Sequence, residues 1–186
     1  TQPSPISISS LLLSIPKCVG SADGTVNIVA SGGTGILKYS IDGGAYTSAS
    51  LFSGIAAGTH TISVRDSNNC VKDTTFTLNN PNPIIIQSFS ITIPKCYGAA
   101  DATTTILASG GAGSFQYRID GGLYSSSGNF TSLSAGLHTI QIKDANNCIK
   151  DTSYNILNPD SITINISVRK NLCNTSKNGL VRIFAT

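Results

Sequence analysis

The chain contains no Glu, no Met and no Trp, and charged residues make up only 11% of it. Soluble domains usually carry roughly 25%. All nine acidic residues are Asp, and Ser, Thr, Asn and Gly fill the polar positions. With the best helix-forming polar residues so scarce, the composition points to β-structure with short turns. The net charge of +3 is small and spread along the chain. It forms no basic cluster and no aromatic–Arg platform, so nucleic acid is not an expected partner. No apolar run approaches the roughly 20 residues of a membrane span. The longest, Leu11-Leu12-Leu13 and Ile84-Ile85-Ile86, are strand-length, and direct membrane insertion is not expected.

What the sequence does have is repetition. Cys18 recurs as Cys96, Cys70 as Cys148, Tyr39 as Tyr117 and His60 as His138, all at one interval (96 − 18 = 78). Pro3, Pro81 and Pro159 mark the same step three times. Residues 16–80 align with 94–158 without a gap and with 34 identities in 65 positions, so the chain reads as an array before any single residue is interpreted. The expected division is 1–5 as the end of a preceding linker, 6–80 as one module and 81–158 as a second. Residues 159–186 read as the start of a third, truncated copy, and the whole as a window on a longer polypeptide.

Within a module, residues 6–15 begin with apolar/polar alternation and read as a first strand ended by Pro16. Thr25–Ser31 and Ile36–Ile41 follow as strands, with Leu37, Tyr39 and Ile41 on one face. Asp42-Gly43-Gly44 is a hairpin signal leading to a short strand at Ala45–Thr47. Residues 50–58 hold one irregular strand or turn. His60–Arg65 and Cys70–Leu78 complete the set, and Asn79-Asn80-Pro81-Asn82-Pro83 is an extended, fairly stiff linker. Six or seven short strands per repeat predict an all-β fold of tandem immunoglobulin-like sandwiches. A core of that size is marginal and gains from a covalent staple.

Five cysteines at repeated spacing, without a CxxC pair, read as disulfides of an exported protein. The favoured pairing is Cys18–Cys70 and Cys96–Cys148, two loops of equal length worth about 3–4 kcal/mol each in the chain-entropy model, with Cys173 pairing beyond the chain. A competing scheme links Cys70–Cys96 and Cys148–Cys173 and leaves Cys18 alone; a third leaves buried thiols. One difficulty attends the favoured scheme. In a seven-strand sandwich the loops carrying Cys18 and Cys70 lie at opposite poles, and they meet only if the 15–24 connection folds back or if the strands number six.

The ordered set Cys18-x-Gly20-x-x-Asp23-Gly24, Ser31-Gly32-Gly33, Tyr39-Ser40-Ile41, Gly58-Thr59-His60-Thr61-Ile62 and Asp66-Ser67-Asn68-Asn69-Cys70 resembles the SprB-type repeat of large bacterial surface adhesins. The second copy carries it through Cys96, Gly98, Asp101, Tyr117, His138 and Asp144 to Cys148, and Cys173 to Gly179 start a third. His60 and His138 stand where that pattern has an aromatic such as Tyr, and Asn69 and Asn147 where Gly commonly precedes the cysteine. The resemblance implies an Ig-like sandwich, export by the type IX secretion system, and a long surface filament for adhesion or gliding.

Side chains able to do chemistry are few. The two histidines lack a second ligand at metal or catalytic spacing and read as hydrogen-bonded, semi-buried residues. Asp66-Ser67-Asn68-Asn69 and Asp144-Ala145-Asn146-Asn147 offer one carboxylate each, too few for calcium, and read as Asx turns. Lys17 and Lys95 have no Glu to assist an isopeptide bond of the kind found in some pilins. Asp-Ser/Thr-apolar triplets, the O-glycan acceptors of bacteria with type IX secretion, point to Thr74 and Ser161, and more loosely to Thr152. The sequons at Asn129, Asn165 and Asn174 read as chance.

The expected function is a non-enzymatic stalk without a cofactor, in which each module advances about 35–45 Å. Its partners are neighbouring repeats of the same long chain, with other filaments or surface glycans as further candidates. Two other readings stand beside it. Each module could bind carbohydrate or protein through Tyr46/Tyr124 and Phe52/Phe130, or the array could be an accessory to an exported enzyme.

Overall fold

A computed structural model describes residues 3–170 and 179–186, and among these described residues there are strands and turns without a helix. The first six strands are β1 (Ser7–Ser14), β2 (Gly24–Ser31), β3 (Lys38–Ile41), β4 (Leu51–Ile55), β5 (Gly58–Arg65) and β6 (Val71–Leu78). They form two three-stranded antiparallel sheets, β1-β2-β4 and β3-β5-β6. The next six repeat the arrangement: β7 (Ile84–Ile91), β8 (Ala102–Gly110), β9 (Gln116–Ile119), β10 (Asn129–Leu133), β11 (Gly136–Lys143) and β12 (Ile149–Ile156). Their sheets are β7-β8-β10 and β9-β11-β12. A last hairpin pairs β13 (Ile164–Arg169) with β14 (Leu180–Ala185).

Alternation puts one face of each sheet inside. Val26 and Ile28 of β2 meet Ile62 and Val64 of β5 and Phe76 and Leu78 of β6, all buried. Leu37, Tyr39 and Ile41 pack against that cluster, as their spacing predicts. In the second sandwich Ile106, Ala108, Tyr117, Ile140 and Ile142 take the same places. Sheets packed face to face with Greek-key crossings make each unit an immunoglobulin-like sandwich.

The strand expected at Ala45–Thr47 is a single bridge, Thr47 to Tyr39, with both backbone bonds made (2.7 and 2.9 Å). Short as it is, this segment still crosses the sandwich. The chain therefore makes seven traverses, and it leaves at the pole opposite the one where it came in. At the incoming pole the Gly33 N–H donates to the Ser4 carbonyl (2.8 Å), and Pro3–Ile6 share a cleft with Asp66 and Cys70. At the outgoing pole the Gly20 N–H reaches Asn80 Oδ1 (3.5 Å) beside the Cys18 turn.

That parity overturns the expected disulfides. Cys18 and Cys70 sit at opposite ends of an eight-residue strand, roughly 25 Å apart at 3.3 Å per residue, whereas a disulfide needs Cα atoms within about 7 Å. Cys96 and Cys148 are separated in the same way. The bond in the structure joins Cys18 to Cys148, with Cα atoms 5.4 Å apart and 130 residues between them in sequence. It ties the outgoing pole of the first sandwich to the incoming pole of the second. Cys70 and Cys96 are free, exposed thiols, so the competing Cys70–Cys96 link is not formed within this chain. Cys173 and Asn174 lie outside the described residues.

Candidate functional site

The joint between the sandwiches is where the structure places the Cys18–Cys148 bond. Its lower half is the turn Cys18–Asp23 after buried Pro16. There the Ser21 N–H donates to the Cys18 carbonyl (3.1 Å), and Asp23 Oδ1 accepts from Lys17 N–H (3.0 Å) and Ser21 Oγ (2.7 Å). Its upper half is the turn before β12. Asp144, 4% exposed, accepts from the N–H groups of Ala112, Asn146 and Cys148, each at 2.9 Å. Asn147 takes φ +64°, a left-handed conformation that Asn tolerates. Between the halves, Cys148 Sγ lies 3.2 Å from the Lys17 carbonyl oxygen, and Asn146 Nδ2 donates to that same oxygen at 3.4 Å. A cleft of about 410 Å³ beside the bond is lined by Val19, Pro83, Ile84 and Lys150 among others.

Asp66 repeats the Asp144 arrangement, accepting from Thr34, Asn68 and Cys70 (2.9 Å each). The Thr34 N–H leads the bonds that hold its carboxyl below the ordinary value. The donors at 2.9 Å are backbone amides, so both Asp-x-Asn-Asn segments are Asx turns that shape a cysteine. Among the described residues no three His, Cys, Asp or Glu side chains group to hold a metal ion. Lys17 enters the joint through its backbone N–H and carbonyl.

Each histidine belongs to an ion pair that a search for nearby ligands in the sequence misses. His60 Nδ1 lies 2.7 Å from Asp42 Oδ2 and its Nε2 3.0 Å from the Ala56 carbonyl. His138 bonds Asp120 and the Ser134 carbonyl in the same way, at 2.6 and 2.9 Å. A carboxylate and a carbonyl facing the two ring nitrogens are both acceptors, an arrangement that favours the protonated imidazole, which donates from both. The Asp42 bond raises the His60 pKa against the opposing effect of burial. For His138 burial is the larger influence and lowers the value, but the Ser134 and Asp120 bonds together outweigh it. The second oxygen of each Asp accepts a backbone N–H, Thr61 or Thr139 (2.8 Å), so the pair pins the hairpin turn to β5 or β11. The signal in the sequence is the recurrence of Asp42 as Asp120 beside each Gly-Gly turn, 18 residues before the histidine.

The proposed aromatic patch is divided. Phe52 and Phe130 pack against the cores. Tyr46 and Tyr124 lie on the outer face beneath cations: Arg65 is 4.0 Å from the Tyr46 ring centroid, and Lys143 and Arg118 are 4.2 and 4.8 Å from that of Tyr124. Of the triplet hydroxyls, Ser161 is exposed in the stretch before β13, while Thr74 and Thr152 are half-buried. Thr74 sits opposite Ile62, and Thr152 opposite Ile140, on the faces that carry the core.

Residues 16–46 match the family model of the SprB repeat. That stretch is similar to the SprB repeat. It takes in the Cys18 turn, β2, β3 and the Asp42 hairpin, so the lower half of the joint lies within the match. No curated protein matches the chain. Among solved structures, a 282-residue C-terminal fragment of intimin, in complex with the intimin-binding domain of the translocated intimin receptor, is 17% identical with TM-score 0.38; the alignment covers 86% of this chain and 66% of that one. Three N-terminal domains of the highly immunogenic outer capsid protein of bacteriophage RB49 give 12% and 0.47 over 98% and 70%. The eight N-terminal Ig domains of Down syndrome cell adhesion molecule give 14% and 0.45 over 88% and 25%. The chain thus spans less than two thirds of the intimin and cell-adhesion chains.

Proposed function

We propose that this chain is part of the stalk of a bacterial cell-surface adhesin, built of SprB repeats at 6–80 and 81–158 and serving reach and load-bearing, not catalysis. The observation that carries the reading is the Cys18–Cys148 bond. A bond inside a module would stabilise that module alone, whereas this one holds two successive sandwiches together and resists bending and stretching at the linker. The SprB match supports a surface location, with export by the type IX system and a part in adhesion or gliding as the finer expectation. Ser161 is the favoured O-glycan position, being exposed; sugar at Thr74 or Thr152 would require attachment before the sandwich closes.

Pulling the chain by its termini tests the mechanical part. In the oxidised protein, load passes through the disulfide and bypasses 130 residues, about 45 nm of extended chain at 3.3–3.6 Å per residue. That length should appear only after reduction. An oxidised chain that unfolds to the full reduced length would refute the load-bearing role. Immunogold labelling of intact cells tests the location: signal confined to the cell interior would end the adhesin reading.

A further inference from the structure

Two half-joints remain open. At the incoming pole of the first sandwich a cleft is lined by Pro5, Ile6, Asp66, Asn68 and Cys70, among others. Pro5, Ile6, Asp66 and Cys70 correspond, one repeat earlier, to Pro83, Ile84, Asp144 and Cys148, which line the closed joint. At the outgoing pole of the second sandwich another cleft is lined by Lys95, Cys96, Tyr97 and residues from Pro159 to Ile162. These correspond, one repeat later, to Lys17, Cys18, Val19 and the Pro81–Ile84 linker.

Both open halves already hold the conformation of the closed one. The Lys95 N–H donates to Asp101 Oδ1 at 3.0 Å, and the Ala99 N–H to the Cys96 carbonyl at 3.0 Å. The Gly98 N–H donates to Asn158 Oδ1 at 3.2 Å, as Gly20 does to Asn80. On the other side, the bonds of Asp66 to Thr34, Asn68 and Cys70 match those of Asp144 in length. Asn69 has φ +65°, against +64° for Asn147. Cys70 and Cys96 are both exposed, and the β13–β14 hairpin is exposed along both strands.

We propose that Cys96 and Cys70 are complementary halves of further joints of the Cys18–Cys148 kind, each closed by another repeat. The outgoing cysteine of one repeat bonds to the incoming cysteine of the next. The closed joint in this chain supplies the template, since a Cys18-type turn and a Cys148-type turn are seen bonded and each open pole offers one of the two. Closure proceeds by thiol–disulfide exchange with an oxidised dithiol or glutathione disulfide. The Cys96 thiolate attacks that disulfide and expels one thiolate. The Cys70 thiolate of the second repeat then attacks the mixed disulfide and expels the other. The oxidant takes up two electrons, and the two protein thiols lose two protons to solvent. In an array so joined, every sandwich is covalently tied at both poles.

The inference rests on the repeat-array part of the proposed function and not on surface location or adhesion, so its failure would leave the immunogold and pulling tests standing. The test uses the full chain with Cys173→Ser throughout, oxidised by glutathione disulfide while Cys18–Cys148 stays intact. Peptide mapping of the products should find Cys96–Cys70 cross-links between copies well above the half expected from random pairing of two thiols. The Cys70→Ser and Cys96→Ser variants should each remain monomeric, and an equimolar mixture of the two should form a heterodimer that does not extend further. Random proportions of Cys70–Cys70, Cys96–Cys96 and mixed bonds, single variants that dimerise as readily as the parent, or an absence of cross-links would each overturn the proposal.

Discussion

Replacing Cys18 and Cys148 together by Ser should lower the stability of both sandwiches and also split their melting into two events. The chain-entropy model assigns a cross-link a cost to the unfolded state that grows with the logarithm of the closed loop. For both sandwiches unfolded the loop spans 130 residues, worth about 5 kcal/mol. With only the first unfolded, the loop runs from Cys18 to Ile84, which lines the same cleft as Cys148. That loop (84 − 18 = 66) corresponds to about 4 kcal/mol. With only the second unfolded, the loop from Asn80, which touches the Cys18 turn, to Cys148 has nearly the same length and value. Opening either sandwich is therefore opposed by about 4 kcal/mol, but opening the other afterwards by only about 1 more. The bridge couples the two by about 3 kcal/mol. Calorimetry of the oxidised parent should show a single transition, and the Cys18→Ser/Cys148→Ser variant two transitions at lower temperature. At about 4–8 °C per kcal/mol for domains of this size, the first should fall by roughly 15–30 °C as an upper bound. Cys70→Ser/Cys96→Ser is the control, since both thiols are exposed, and it should melt like the parent. The reasoning is refuted if the control loses the stability instead, or if the Cys18/Cys148 variant keeps a single transition at the parent temperature.

Two further outcomes follow from the turns. The His60 and His138 values are raised above 6.5 and those of Asp42 and Asp120 lowered below 3.8. The histidine contribution is complete below pH 6.5 and is lost as pH rises through the folded values; the aspartate contribution is complete above 3.8 and is lost as pH falls through the folded values. Urea midpoints should therefore be highest between about pH 4 and 6.5 and fall towards pH 8. A His60→Gln/His138→Gln variant that kept the same fall would show that other groups cause it. Asp144→Ala should leave three backbone N–H groups without their acceptor at a buried turn, costing about 3 kcal/mol. It should also slow re-formation of Cys18–Cys148 after reduction, and a variant that reoxidises at the parent rate would show that the turn does not position Cys148.

Strand placement was legible because the alternating runs bury one face of each sheet with little help from elsewhere. The apolar positions of Thr25–Ser31 and His60–Arg65 became Val26, Ile28, Ile62 and Val64 of the core. The Asx turns were legible for the same local reason, as Asp66 bonds the amides two and four residues ahead. The histidine pairs were less so. His60 and Asp42 meet only because β3 and β5 are neighbours, with Ile41 opposite Ile62. A search for ligands close in sequence passes over a partner 18 residues back.

The cysteines show where local reading stops. Spacing alone favours closure inside a module, because shorter loops form more readily and the interval recurs intact. Direction decides otherwise. One short traverse at Thr47, too small to be a ladder of its own, makes the number of crossings odd and sends the Cys18 and Cys70 turns to opposite poles. In a linear array an odd crossing number puts the outgoing pole of one unit against the incoming pole of the next. Two cysteines on opposite poles of one unit then become neighbours across a junction. The repeated cysteines that suggest a staple for a small core thus form a fastening between cores. Each sandwich buries its own strands, and the bond between them both adds to the stability of each and governs how far one can move from the next.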